Sequence, residues 1–206
     1  MPVPAFRSLA ISDRTSLPGG DLASWLARLA SAAPDAIQIR EKDLSDRALY
    51  ELARQARAVL PASTRLLVNG RLDIALAAGA DGVHLPADGP PAAALRARFG
   101  AGVLLGVSTH CIEEVERAQS DGADYVTFGP VYATVSKARY GPPLGTGALR
   151  QAASVGIPVL ALGGITLERL DELASTGAAG VAGIRLFQPP SDLDAVLAAI
   201  RRTFPA

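Results

Sequence analysis

The feature that most limits what this chain can fold into is an alternation: eight short β-rich runs separated by stretches with helical periodicity. The runs fall at residues 7–11, 36–40, 65–69, 82–85, 103–108, 125–128, 158–162 and 180–184. Between them, stretches such as 46–60, 111–120 and 167–176 are rich in Ala, Leu, Arg and Glu, with apolar residues at helical spacing. Several runs are apolar on consecutive positions (Leu66-Leu67-Val68, Val103-Leu104-Leu105, Val159-Leu160-Ala161-Leu162), as parallel strands buried on both faces require. Eight such units predict an α/β fold, one (β/α)8 TIM barrel built from residues 1–206 as a single domain. With 206 residues, 49% of them hydrophobic, the chain can bury one full core. An open doubly wound sheet is the competitor, but Ser12-Asp13-Arg14-Thr15 follows the first run where that fold would carry a Gly-x-Gly-x-x-Gly turn.

A local motif repeats. Ala78-Gly79-Ala80-Asp81-Gly82-Val83 and Ser120-Asp121-Gly122-Ala123-Asp124-Tyr125-Val126 each close a helix and launch a strand, and Thr176-Gly177-Ala178-Ala179-Gly180-Val181 is a weaker copy. The glycines suit the left-handed residue that ends a helix, which assigns them to the end of the barrel that carries stability.

Barrel chemistry gathers where strands end, and two cationic segments stand there. After the second run come Gln38-Ile39-Arg40-Glu41-Lys42, with Gln38, Arg40 and Lys42 at alternate positions and so expected to point one way. The alternative is a solvated rim in which Arg40 and Glu41 pair with neighbours. After the sixth run, Gly129-Pro130 breaks the strand and the loop offers Thr134, Ser136 and Lys137, donors suited to phosphate or diphosphate oxygens. Residues 138–145, rich in Gly and Pro, read either as a cover for the site or as an ordinary surface loop. Gly163-Gly164-Ile165-Thr166 and Gly183-Ile184-Arg185 end the last two runs, where small residues expose backbone N–H groups to a phosphate or simply permit a tight turn.

His84 and His110 are the only histidines, each near a strand end, and suit either proton transfer or a structural hydrogen bond. Asn69 and Asp88 can share a divalent cation bridged to diphosphate oxygens, although a single carboxylate needs the substrate to complete the site. The 20 basic residues balance 20 acidic ones, so no overall field recruits nucleic acid or an acidic membrane. A lone cysteine, Cys111, excludes an internal disulfide and is read as structural, in keeping with a reducing cytoplasm. Residues 1–5 lack a basic-then-apolar leader, and no apolar run approaches the roughly 20 residues that span a bilayer. Small phosphorylated substrates are the expected partners, with self-association left open.

In order, Gln38-Ile39-Arg40-Glu41-Lys42, Val68-Asn69, Ala80-Asp81-Gly82-Val83-His84-Leu85, Gly106-Val107-Ser108-Thr109-His110, Gly122 to Val126, Gly129 to Lys137 and Gly163-Gly164-Ile165-Thr166 resemble the thiamine phosphate synthase and TenI-type thiazole tautomerase superfamily. The resemblance covers nearly the whole chain and implies the (β/α)8 barrel. It implies a transferase of thiamine biosynthesis that couples hydroxymethylpyrimidine diphosphate to a thiazole phosphate and releases diphosphate with Mg²⁺. By resemblance, Gln38, Arg40, Lys42, Asn69 and Lys137 hold the diphosphate, and Ser108 lies near the pyrimidine and the leaving group. Arg40, Lys42, Ser108 and Lys137 are the expected catalytic residues. Thr134 and Ser136 bind the thiazole phosphate side, with Gly164 and Ile184 completing that phosphate site. For Mg²⁺, the family's synthases usually carry an aspartate where Gly70 stands, and Pro86-Ala87-Asp88-Gly89 departs from their strand-four pattern, leaving Asp88 as the metal ligand. Arg185 replaces a small hydroxyl residue, and either strengthens or blocks the phosphate site. Two alternatives are a TenI-like isomerase using His84 or Asp88 as acid/base, and a non-catalytic phosphate-ligand binding homologue.

Overall fold

The computed structural model describes residues 6–134 and 142–204. Eight parallel strands, β1 (Ser8–Ile11), β2 (Ala36–Ile39), β3 (Arg65–Asn69), β4 (Gly82–Leu85), β5 (Leu104–Thr109), β6 (Tyr125–Phe128), β7 (Val159–Leu162) and β8 (Gly180–Gly183), close in sequence order, β8 pairing with β1. The helices are α1 (Leu22–Ala32), α2 (Asp46–Val59), α3 (Leu72–Ala77), α4 (Ala92–Phe99), α5 (Ile112–Ser120), α6 (Gly145–Ala153), α7 (Leu170–Ala174) and α8 (Leu193–Thr203). The fold is the expected (β/α)8 barrel.

Strand alternation divides the core in two. Outward residues such as Ile37, Ile39, Val68, Val126, Phe128 and Val181 pack against helix residues Trp25, Ala53, Val115, Leu149, Leu173 and Leu197. Inward residues Leu9, Ile11, Ala36, Leu67, Tyr125, Leu160 and Ala182 fill the barrel's interior, with Phe6 plugging its floor edge-on to Tyr125 at a centroid separation of 5.4 Å. The Tyr125 ring fits because β5 carries glycine opposite it: a Cβ on Gly106 would stand 2.2 Å from the ring's Cζ.

The floor is tied by three aspartates, each just before an even-numbered strand. Asp35 accepts the N–H groups of Arg7 and Ser8 at 2.9 and 3.0 Å. Asp81 accepts from Leu66 N–H at 2.8 Å and pairs with Arg57 and Arg65. Asp124 accepts from Leu105 N–H at 2.7 Å and pairs with Arg96 at 2.8 Å. Each carboxylate thus joins two neighbouring strands. The helix-ending glycines of the repeated motif are left-handed as read, with φ of 69° at Gly79, 77° at Gly122 and 86° at Gly177.

Three expectations are corrected. The stretch 167–176 is not one helix: Leu167–Arg169 forms a 3-10 turn, closed by the Leu170 N–H on the Leu167 carbonyl, before α7 begins. The second strand stops at Ile39, so the alternation that would align Lys42 with Arg40 lapses, and Lys42 lies exposed in a turn. The third concerns Cys111, read as structural: it is exposed, at the N-terminus of α5.

Candidate functional site

Above the apolar interior, the inward positions of β2 to β6 become polar: Gln38, Asn69, His84, Ser108 and Thr127. Register places them side by side, with Asn69 opposite His84 and Ser108 opposite Thr127. Gln38 is 1% exposed and its Nε2 donates to Asn69 Oδ1 at 2.9 Å, while its own Oε1 has no partner among the described residues. A buried amide oxygen without a donor is costly unless a ligand supplies one.

Arg40 follows β2 into this mouth. Its backbone N–H donates to Ser12 Oγ at 2.8 Å, and Ser12 Oγ donates to the buried Glu41 carboxylate at 2.6 Å. Glu41 also accepts the Arg14 N–H, so the residue read as a possible pairing partner for the rim instead locks the loop after β1 to the end of β2. The Arg40 guanidinium is left without a hydrogen-bond or ion-pair partner among the described residues. Its charge reaches His84: burial first, and then Arg40, push the His84 ring down to about 3, so the imidazole is neutral. Both ring nitrogens are engaged, Nδ1 with Tyr125 OH at 2.9 Å and Nε2 with Ser108 Oγ at 2.9 Å.

His110, just past β5, donates from Nδ1 to the Gly129 carbonyl at 2.5 Å while its backbone N–H donates to Glu114. It therefore braces the turn after β6. That turn packs directly on the one after β7: Val131 N–H donates to the Leu162 carbonyl at 2.8 Å and Tyr132 N–H to the Gly163 carbonyl at 3.1 Å. Gly164, at φ 66°, has no room for a side chain, since a Cβ would lie 2.8 Å from the Ala133 carbonyl oxygen. The N–H groups of Gly164 and Ile184 meet no acceptor among the described residues. Thr134 lies in the same wall, partly buried, whereas Ser136 and Lys137, and most of the stretch 138–145, fall outside the described residues. Arg185 opens a 3-10 turn after β8 and is exposed, its guanidinium unpaired among the described residues.

Asp88 is exposed in the turn after β4 and also has no partner among the described residues. No group of three or more His, Cys, Asp or Glu side chains there is placed to hold a metal by itself. The mouth thus combines an unpaired cation, a tier of side-chain donors on β2 to β6, and free backbone N–H groups after β7 and β8. Donors of these kinds are chemically suited to an anion. Sequence reasoning missed Tyr125, whose reach into this tier is signalled only by the glycine opposite it.

The family model for thiamine monophosphate synthase matches residues 8–187. A thiamine-phosphate synthase from Chlorobium luteolum is 46% identical over 153 residues, covering 72% of this chain and 71% of that protein. Another from Methanoculleus marisnigri is 41% identical over 85% of each chain. The solved structure of a thiamine phosphate pyrophosphorylase from Pyrococcus furiosus matches with a TM-score of 0.83 at 28% identity, covering 97% of this chain and 95% of its own.

Proposed function

The chain belongs to the thiamine monophosphate synthase family, and on that premise we propose that it is a transferase of thiamine biosynthesis joining hydroxymethylpyrimidine diphosphate to a thiazole phosphate. The observation that carries the reading is the unpaired Arg40 guanidinium set beside the inward tier of Gln38, Asn69 and Ser108. The bond between the hydroxymethyl carbon and the diphosphate oxygen breaks, and its electron pair leaves with the diphosphate. The pyrimidine methylene cation is then captured by the thiazole nitrogen, whose lone pair forms the new C–N bond. Most of the barrier is charge separation, so the protein acts by holding the departing diphosphate with Arg40, Lys42, Lys137, Gln38 and Asn69. Ser108 faces the bond that breaks, while Thr134, Gly164 and Ile184, and by resemblance Ser136, hold the thiazole phosphate.

Mg²⁺ is commonly bound through one or two carboxylates together with substrate phosphates. Asp88, exposed and without a partner among the described residues, fits that minimal role with the diphosphate. When bound, the cation supplies further neutralisation of the leaving group. The synthase reading is favoured over the isomerase because the named relatives are thiamine-phosphate synthases, and because burial and Arg40 hold the His84 ring neutral, which makes it a weak acid/base candidate. A single cytoplasmic barrel domain suits such phosphorylated metabolites, and no helix among the described residues is long and apolar enough to cross a membrane.

The test is to incubate the purified protein with both substrates and Mg²⁺ and follow thiamine phosphate and diphosphate by chromatography. Metal-dependent formation of both products is expected. Folded protein that yields neither overturns the reading.

A further inference from the structure

Tyr125, His84 and Ser108 form a chain across the barrel from its apolar floor to the mouth, and its protons can be placed by accounting for donors. Tyr125 is 1% exposed, and the only hydrogen-bond partner of its hydroxyl among the described residues is His84 Nδ1 at 2.9 Å. A buried phenol with nothing to accept its proton pays the full desolvation cost of that donor. If Nδ1 carried the ring's proton, the Tyr125 O–H would be stranded in this way. The cheaper arrangement has Tyr125 donate to Nδ1, which leaves the proton of the neutral imidazole on Nε2. Nε2 then donates to Ser108 Oγ at 2.9 Å, with Thr127 Oγ1 at 3.4 Å taking a weaker share. Ser108 already accepts from the ring, so its own proton is free, and the residue is only partly buried at the mouth.

We propose that Tyr125 and His84 are positioning residues that hold the Ser108 hydroxyl as a hydrogen-bond donor aimed into the substrate cavity. The consequence, which rests on the transferase reading, is that Ser108 gives its hydrogen bond to oxygen charge that grows as the diphosphate departs. The neutrality of His84 supports this, since a doubly protonated ring could not accept from Tyr125. The fixed orientation also removes the reorganisation that a freely rotating hydroxyl would need when charge develops.

Nitrogen NMR of the ¹⁵N-histidine-labelled, unliganded protein tests the proton placement without any substrate. His84, assigned by its loss in His84→Gln, should show a pyrrole-type Nε2 and a pyridine-type Nδ1; the reverse pattern overturns the proposal even if the enzyme is active. Kinetics then test the consequence. Gln places an amide N–H close to where Nε2 stands, so His84→Gln should keep kcat within about threefold, whereas His84→Leu should fall about a hundredfold with KM little changed, matching Ser108→Ala. In the Ser108→Ala background, His84→Leu should add no further loss; fully additive losses would show that His84 acts independently of Ser108. If the protein makes no thiamine phosphate at all, the transferase reading fails while the NMR result still decides the tautomer.

Discussion

The two ends of this barrel use charge in opposite ways. At the floor, Asp35, Asp81 and Asp124 consume arginines and backbone N–H groups alike; the N–H contacts tie strand to neighbouring strand, and Arg57 of α2 and Arg96 of α4 tie helices to the same carboxylates. At the mouth, the side chains of Arg40, Lys42, Arg185 and Asp88 have no partner among the described residues, and the ion pairs of Arg14 with Asp43 and of Arg71 with Asp46 and Asp73 stand in the outer loops and at the starts of α2 and α3. Charge spent at the floor holds the fold, and charge left unspent at the mouth is available to a ligand. Stability and function are thereby separable by position along the barrel axis.

The sharpest way to break that contrast is at Arg40. Arg40→Ala should lower kcat/KM by about 10²–10³-fold, the usual cost of one preorganised donor to developing charge. Its thermal midpoint should hardly move, because the guanidinium has no partner among the described residues to lose. A matching loss of stability in calorimetry would mean that the mouth, too, is braced by its cations. Asp124→Ala is the reciprocal case. It strands the Leu105 N–H and takes the carboxylate partner from Arg96 Nη2, and should cost about 1–3 kcal/mol in denaturant unfolding while the folded fraction keeps its turnover.

His84 lies between the two ends and gives the contrast a pH signature. Its folded value of about 3 lies below the unfolded value of 6.5, so between those limits the unfolded chain holds a proton that the native one does not. Stability from this residue is complete above pH 6.5 and is lost as pH falls toward 3, with a slope of up to about 1.4 kcal/mol per pH unit. His84→Gln should remove that slope in urea titrations at pH 4 to 6. An unchanged slope would place the charge sensitivity in the carboxylates.

The barrel was legible because its signal is redundant: eight runs, each bounded by a helix, leave few closed topologies, and the two-sided burial of parallel strands writes itself as consecutive apolar residues. Gln38 and Asn69 were visible as polar positions at the ends of such runs, whereas Ser108 was singled out only by the family resemblance. Three features were not. Glu41 looks like one more rim charge, since nothing local says that its carboxylate turns back to Ser12, 29 positions earlier. Asp81 and Asp124 sat in a motif read for its glycines, although the aspartate makes the tie; the weaker third copy carries Ala179 in its place. Tyr125 reads as an ordinary apolar strand residue, because its function depends on a partner 41 positions away.

The smallest effect tests whether the mouth tolerates a charge that the floor would need to pair. Gly70 follows β3 at φ 67°, and a Cβ there would meet only Pro86 Cδ at 3.8 Å, an ordinary contact. Space therefore does not forbid a side chain, and the left-handed backbone does so only mildly for aspartate, which tolerates that region better than most residues. Gly70→Asp should lower stability by about 1 kcal/mol. In exchange it sets a second carboxylate next to Asn69, across from the turn bearing Asp88, and should tighten Mg²⁺ activation about tenfold, since added ligand charge raises affinity for a hard cation. The measurement is the half-saturating Mg²⁺ concentration at fixed diphosphate substrate. If stability drops and that concentration stays put, the cation sits away from β3 and β4, and Asp88 is one more unpaired charge at the mouth, not its ligand.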